Sequence, residues 1–270
     1  MPYATVNELN MYYEVHGDGP PLVLLHGAYM NAEGMRPLAE GLAGIRQVIV
    51  PEAQAHARTA DVDRPITYEQ MGDDVADLIR ELGHEQADVV GYSMGGGTAL
   101  RLAIQHPDLV RRLVMVSAGY RYDGMPPEAI AMFPSISPEM FAGSPMETEY
   151  QRLAPDPEQF PVLVDKLKTL DTTDFAWDDD VRAMTTPMLI VAGDADGVTA
   201  EHAVNLFKLR GGGPMGDLSG LPESQLAILP GTTHFIPPGF GMLDRAEWLL
   251  AMIPPFLDPP PVPENPFATP

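Results

Sequence analysis

The segment Ala87-Asp88-Val89-Val90-Gly91-Tyr92-Ser93-Met94-Gly95-Gly96-Gly97 decides how the rest of the chain is read. Residues 87–92 read as a strand, and Thr98 to Gln105 as a helix that ends before Pro107. Ser93 sits in the turn between them, inside the pattern Gly91-Tyr92-Ser93-Met94-Gly95. A sharp strand-to-helix turn strains the backbone at its serine, and glycines two residues to either side remove Cβ atoms that would clash. The hydroxyl then stands clear of the sheet, and the helix start aims backbone N–H groups at developing negative charge. The alternative for the bare pentapeptide is a chance glycine–serine turn; a strand before it and a helix after it make it specific.

Working outward, Leu22–Leu25, Val48–Val50, Leu113–Val116, Met188–Ala192 and Leu226–Leu229 are short apolar runs. Such runs suit parallel strands covered on both faces. Residues 5–15 alternate instead and predict a short antiparallel pair at a sheet edge. Helices are predicted over 31–43, over 67–82 and over 242–252, the second with Thr67 as N-cap and Gln70 reaching back to close a capping box. This alternation predicts an α/β fold with a mostly parallel sheet between helices. Residues 119–184 break the rhythm with scattered prolines and no strong strand, and read as an inserted cap of short helices. The expected organisation is therefore a first core part over 1–118, a helical cap over 119–184, a second core part over 185–253 and a proline-rich tail over 254–270.

A serine hydroxyl is a poor nucleophile without a base in hydrogen-bond reach. Of seven histidines, His234 is the best placed, because it follows the last predicted strand. Its loop leaves the sheet at the edge where the serine turn lies, beyond the carboxyl ends of the strands. The base needs an orienting carboxylate. Asp194 and Asp196 both follow the strand 188–192, and both satisfy the order serine, acid, histidine. Asp196 is preferred because it lies further into the loop, whereas Asp194 suits a local turn bond. Backbone N–H groups of Met94 and Ala28 are the expected oxyanion donors.

These segments resemble the α/β-hydrolase superfamily, and within it small serine esterases, cofactor-free haloperoxidase-like hydrolases and carbon–carbon bond hydrolases. The resemblance is carried by His26-Gly27-Ala28, Gly91-Tyr92-Ser93-Met94-Gly95-Gly96, Gly193-Asp194-Ala195-Asp196 and Gly231-Thr232-Thr233-His234, and covers residues 3 to about 253. It implies an eight-stranded, mostly parallel sheet flanked by helices, with a small cap inserted after strand six. It also supports Asp196 as the acid and Ala28 as a donor. The implied activity is serine-dependent carboxylesterase-type hydrolysis through an acyl-enzyme. Carbon–carbon bond, lactone or amide hydrolysis by the same triad is the alternative, and a non-catalytic binding protein is the third reading. Tyr29, Phe133, Phe141, Trp177 and Phe235 are expected to line the substrate pocket. One loop departs from the family: Glu52, Ala55 and Ala57 stand where relatives usually carry aspartate and two glycines. A locally different loop path is expected there, with His56 on the surface or in a structural role.

Composition narrows the partners. The 270 residues carry a formal net charge of −22, which repels phosphate backbones and anionic lipid. No cysteine is present, so disulfides and thiolate chemistry are excluded. The first residues, MPYATVNELNMYYEV, lack a basic patch followed by an apolar run. The expectation is a cytoplasmic protein acting on a small ester-like molecule, needing no metal or organic cofactor and binding neither nucleic acid nor membrane.

Overall fold

The computed structural model describes residues 2–261. Eight strands form one sheet: β1 (Tyr3–Val6), β2 (Leu9–His16), β3 (Pro21–Leu25), β4 (Gln47–Pro51), β5 (Ala87–Tyr92), β6 (Val110–Val116), β7 (Met188–Ala195) and β8 (Gln225–Thr233). Their spatial order is β1-β2-β4-β3-β5-β6-β7-β8. β2 runs antiparallel to β1 and to β4, and every pairing from β4 through β8 is parallel. The α-helices are α1 (Arg36–Leu42), α2 (Tyr68–Glu81), α3 (Met94–Gln105), α4 (Pro127–Met132), α5 (Pro145–Leu153), α6 (Phe160–Asp171), α7 (Asp178–Ala183), α8 (Ala200–Leu209), α9 (Gly216–Ser219) and α10 (Ala246–Leu257). Four of them, α4 to α7, are inserted between β6 and β7.

The period of two along each strand builds two cores. Val23, Val89, Leu113 and Ile190 face one side, where they meet α2, α3 and α8. Leu22, Leu24, Val90, Val114 and Val191 face the other, against α1 and α10. A side chain fully buried in either layer contributes about 1.5–3 kcal/mol, so strands that are apolar on both faces stay in the middle of the sheet. β5 lies at the centre, with Gly91 opposite Leu25 of β3 and Tyr92 opposite Val116 of β6. The ends of these strands therefore reach one rim together.

Four elements differ from their sequence expectation. Helix α3 starts at Met94, not Thr98, so the three glycines lie inside it. Glycine is a weak helix former, about 1 kcal/mol worse than alanine, which hid the true start. Helix α10 continues to Leu257, past the expected tail boundary at 254. Pro254 and Pro255 fall in its last turns, where Phe256 and Leu257 are fully buried and Asp258 is held 2.6 Å from the Arg46 guanidinium. Residues 262–270 of the expected tail lie outside the described residues. Thr67 Oγ1 accepts the Gln70 N–H as a cap, but the Gln70 amide donates forward to Asp74, so the box is only half closed. Within the loop expected over 211–224, residues Gly216–Ser219 form α9. Among the described residues no helix is long and apolar enough to cross a membrane.

Candidate active site

Ser93 occupies the single residue between β5 and α3, with φ 55° and ψ −121°. That backbone region costs a non-glycine residue about 1–3 kcal/mol. Packing holds it there. A Cβ on Gly91 would meet the Gly95 carbonyl oxygen at 2.1 Å, and a Cβ on Gly95 would meet the Leu25 and His26 oxygens at 2.5 and 2.6 Å. The Ser93 N–H donates to Val116 O on the neighbouring strand at 2.9 Å.

His234 follows β8 directly, and its Nε2 lies 2.9 Å from Ser93 Oγ. Its Nδ1 lies 2.7 Å from Asp196 Oδ1. Asp196 follows β7, and its side chain is completely buried. The other carboxylate oxygen accepts the Ser117 hydroxyl at 2.5 Å and the Gly193 N–H at 3.1 Å. Burial alone would raise this carboxyl. The hydrogen bond and charge of His234, with the bonds from Ser117 and Gly193, outweigh it and hold the group below the usual carboxylate range. An ionised carboxylate only accepts, so the His234 proton sits on Nδ1 and Nε2 is free to accept from Ser93.

Two further side chains brace this arrangement, and sequence reading did not single out either. The Tyr92 ring stacks on His234 with centroids 5.3 Å apart, and its hydroxyl donates to the His234 carbonyl at 2.8 Å. Ser117 adopts φ 52° just beyond β6, which turns its hydroxyl onto Asp196. Asp194 does something else. Its Oδ1 accepts the Thr232 N–H at 3.2 Å, tying the end of β7 to β8, and backbone bonds from Gly231 and Thr232 hold its carboxyl low.

Met94 is the first residue of α3, so its N–H has no intrahelical acceptor. Ala28 lies on the loop after β3, beside Met94 in one apolar cluster. His26 shapes that loop. Its Nδ1 donates to Gly27 O at 2.8 Å and its Nε2 accepts the Ala53 N–H at 3.1 Å. Burial pushes its pKa down to about 4, so the ring is neutral and this bonding pattern is fixed.

The unusual loop after β4 packs beneath. The buried Glu52 carboxylate accepts from the Ala32 and Arg58 N–H groups and from the Arg58 guanidinium. Ala55 and Ala57 adopt φ 62° and 44°. The backbone thus takes left-handed conformations that glycine favours, despite two Cβ atoms that cost about 1–2 kcal/mol each. His56 is fully buried, its Nδ1 donates to Gln54 O at 2.8 Å, and its ring lies 4.9 Å from that of His26. It braces the loop and is not at the surface.

The five aromatic residues expected in the pocket separate. Tyr29 and Phe141 lie with ring centroids 4.6 Å apart, in the cluster that also holds Met94 and Ala28. Phe235 is exposed, with its ring centroid 6.1 Å from that of His234. Trp177 goes elsewhere: it is buried against Tyr68 and Phe175 in the layer over α2 and α3. Phe133 is half-buried on the turn after α4 and is not part of the Met94 cluster. An indole and a phenyl on a cap can serve either pocket or core, and their spacing along the chain does not say which.

Comparison with known proteins agrees with this architecture. Residues 20–147 match the profile of the family described as alpha/beta hydrolase fold, which takes in Ala28, Ser93 and Met94. A candidate carbamate hydrolase, RutD, of Azorhizobium caulinodans is 36% identical over 124 residues, 46% of this chain and 47% of that protein. The chain thus spans about half the length of that relative. Among solved structures, a thermophilic esterase of Thermogutta terrifontis superposes with a TM-score of 0.69 at 22% identity, over 94% of this chain and 95% of that one. An enol-lactonase of Burkholderia xenovorans superposes with a TM-score of 0.68 at 19% identity, over 95% and 99%. By its sheet order, its inserted helices and these matches, the chain is an α/β-hydrolase-fold protein.

Proposed function

We propose that the protein is a serine hydrolase that cleaves a carboxylic ester of a small molecule through an acyl-enzyme. One observation carries the reading: an unbroken chain of hydrogen bonds runs from Ser93 Oγ through His234 to the buried Asp196. Ser93 Oγ attacks the ester carbonyl carbon as its proton passes to His234 Nε2. The carbonyl oxygen becomes an oxyanion facing the N–H groups of Met94 and Ala28, each such donor contributing about 3–4 kcal/mol. Asp196 stabilises the imidazolium. The carbon–oxygen bond to the alcohol then breaks as His234 returns the proton to it. Water, deprotonated by the same ring, attacks the acyl carbon; the bond from that carbon to Ser93 Oγ then breaks as His234 returns the proton to Ser93, and the acid leaves. General acid–base catalysis of this kind supplies roughly 10²–10⁴ in rate.

The names of the similar proteins, a carbamate hydrolase, an esterase and a lactonase, all describe hydrolysis at a carbonyl carbon. A lactone is a cyclic ester, so the same steps open it. Hydrolysis of p-nitrophenyl acetate tests the reading. Ser93→Ala lowers kcat/KM by about 10⁴–10⁶, and a fluorophosphonate adds one equivalent to the parent protein at Ser93, located by peptide mass. Activity of Ser93→Ala within tenfold of the parent overturns the mechanism.

A further inference from the structure

The loop after β3 holds Tyr29 in a conformation that a tyrosine does not favour. The Met30 N–H donates to Gly27 O at 3.2 Å, closing a tight turn with Ala28 and Tyr29 at its centre. Tyr29 has φ 60°, whereas Ala28 is not among the residues with positive φ. A positive φ at the second central residue alone is the type II pattern, where glycine is usual. A bulky side chain there is strained. The Tyr29 hydroxyl adds a second cost, being buried with no hydrogen-bond partner among the described residues.

The compensating contact comes from the cap. Phe141 ends the short 3-10 helix Pro138–Phe141, and its ring centroid lies 4.6 Å from that of Tyr29. Phe141 in turn meets Phe160 of α6 edge-on at 5.8 Å, and Phe160 lies 5.2 Å from Tyr150 of α5. Phe160 and Tyr150 are buried. These four rings join the turn to two cap helices.

The turn also orients the proposed oxyanion donor. Gly27 O accepts the Met30 N–H and, at 2.8 Å, His26 Nδ1–H. The C=O and N–H of a trans peptide point in opposite directions. Fixing Gly27 O therefore fixes the Ala28 N–H, which shares its peptide plane. His26 secures that plane from the core. The Met30 bond secures it only while Tyr29 keeps its positive φ. We propose that Phe141 is a positioning residue: by clamping the Tyr29 ring it keeps the turn closed and the Ala28 N–H aimed at the oxyanion, so that seating of the cap regulates the rate. This role rests on the serine-hydrolase reading above and adds how that site is controlled.

Two ketones of one shape test it: heptyl trifluoromethyl ketone and heptyl methyl ketone. Ser93 Oγ adds to the carbonyl carbon of the first, its proton passes to His234, and the carbonyl electron pair moves onto oxygen as an oxyanion. The second binds without reacting. Outright loss of one oxyanion donor costs about 10²–10³ in kcat, and a donor left to swing keeps part of that. Phe141→Ala is therefore expected to weaken inhibition by the trifluoromethyl ketone about tenfold while the methyl ketone changes less than about twofold. The kcat for p-nitrophenyl acetate falls with the former, at nearly constant KM. Equal loss for both ketones means that Phe141 merely lines the pocket, and overturns the role. Glycine takes φ 60° unaided, so in a Tyr29→Gly background Phe141→Ala should weaken the trifluoromethyl ketone by less than about twofold. The same tenfold loss in both backgrounds shows that Phe141 acts without Tyr29, and overturns the clamp. Phe141→Leu keeps the cap packed and gives a smaller selective loss; if Phe141→Ala does not fold, a folded Phe141→Leu with no selective loss overturns the role. An active parent with no selective loss in these variants leaves the hydrolase reading intact. A parent that neither hydrolyses the ester nor prefers the trifluoromethyl ketone removes both.

Discussion

Asp196→Asn probes the proposed mechanism most sharply, because the structure dictates how the new amide must sit. The carboxylate accepts His234 Nδ1–H on one oxygen and two donors, Ser117 Oγ and Gly193 N–H, on the other. An amide offers one acceptor and one donor edge. If its oxygen faces His234, its NH₂ opposes the Gly193 N–H, which is backbone and cannot turn away. That buried donor is then unsatisfied, at about 1–3 kcal/mol. If its oxygen instead faces Gly193 and Ser117, both stay bonded, and the NH₂ donates to His234 Nδ1. The second arrangement wins by that margin. It forces the histidine proton onto Nε2, which then cannot accept from Ser93. The productive tautomer is left at roughly a tenth to a hundredth of the population. Loss of the carboxylate charge beside the imidazolium removes a further charge-assisted bond of about 1.5–3 kcal/mol. Together these predict a fall in kcat/KM of about 10²–10⁴, or roughly 3–5 kcal/mol at about 1.36 kcal/mol per decade. Asp194→Asn is the control. Its amide oxygen can still accept the Thr232 N–H, so less than a tenfold loss is expected. Steady-state hydrolysis of p-nitrophenyl acetate gives the rates, and ¹⁵N spectra of labelled histidine give the tautomer. An Asp196→Asn enzyme within tenfold of the parent, or a larger loss in Asp194→Asn, refutes the assignment of the acid.

Two other outcomes follow from packing and burial. Gly95→Ala places a Cβ 2.5 Å from Leu25 O and 2.6 Å from His26 O, both backbone. The loop bearing Ala28 must shift, with a loss of about 1–3 kcal/mol in urea unfolding and a lower kcat; a variant as stable and active as the parent contradicts the close approach. His56 is held neutral by burial, with its pKa lowered to about 3, whereas the unfolded chain protonates near 6.5. Between those values the unfolded state binds the extra proton, so this residue's contribution falls as pH drops below about 6.5. Asp171, Glu52 and Asp74 are shifted upward and work in the opposite direction, so the readout is a difference. The destabilisation caused by His56→Asn should shrink between pH 7.5 and 4.5, and a pH-independent difference rules out a neutral buried His56.

The strands were legible because burial on both sheet faces leaves continuous apolar runs, and the Ser93 turn because its glycines are sterically required. What stayed hidden depends on contacts between distant segments. Ser117 reaches Asp196 across 79 residues, and only because β6 and β7 are neighbours and Ser117 takes a positive φ at the strand end. Nothing local to a serine after Met115-Val116 announces either condition. Tyr92 was visible merely as the residue before Ser93; its bond to the His234 carbonyl spans 142 residues. Trp177 fails in the other direction. Aromatic composition places it equally well in a pocket or in a core, and its packing on Tyr68 decides for the core. The residues most exposed to this blind spot are those that act by completing a partner's hydrogen bonds, as Ser117 and Tyr92 do. Sequence can therefore nominate a candidate hydroxyl, base and acid by type and order, whereas the groups that hold them in place become visible only through burial set against bonding.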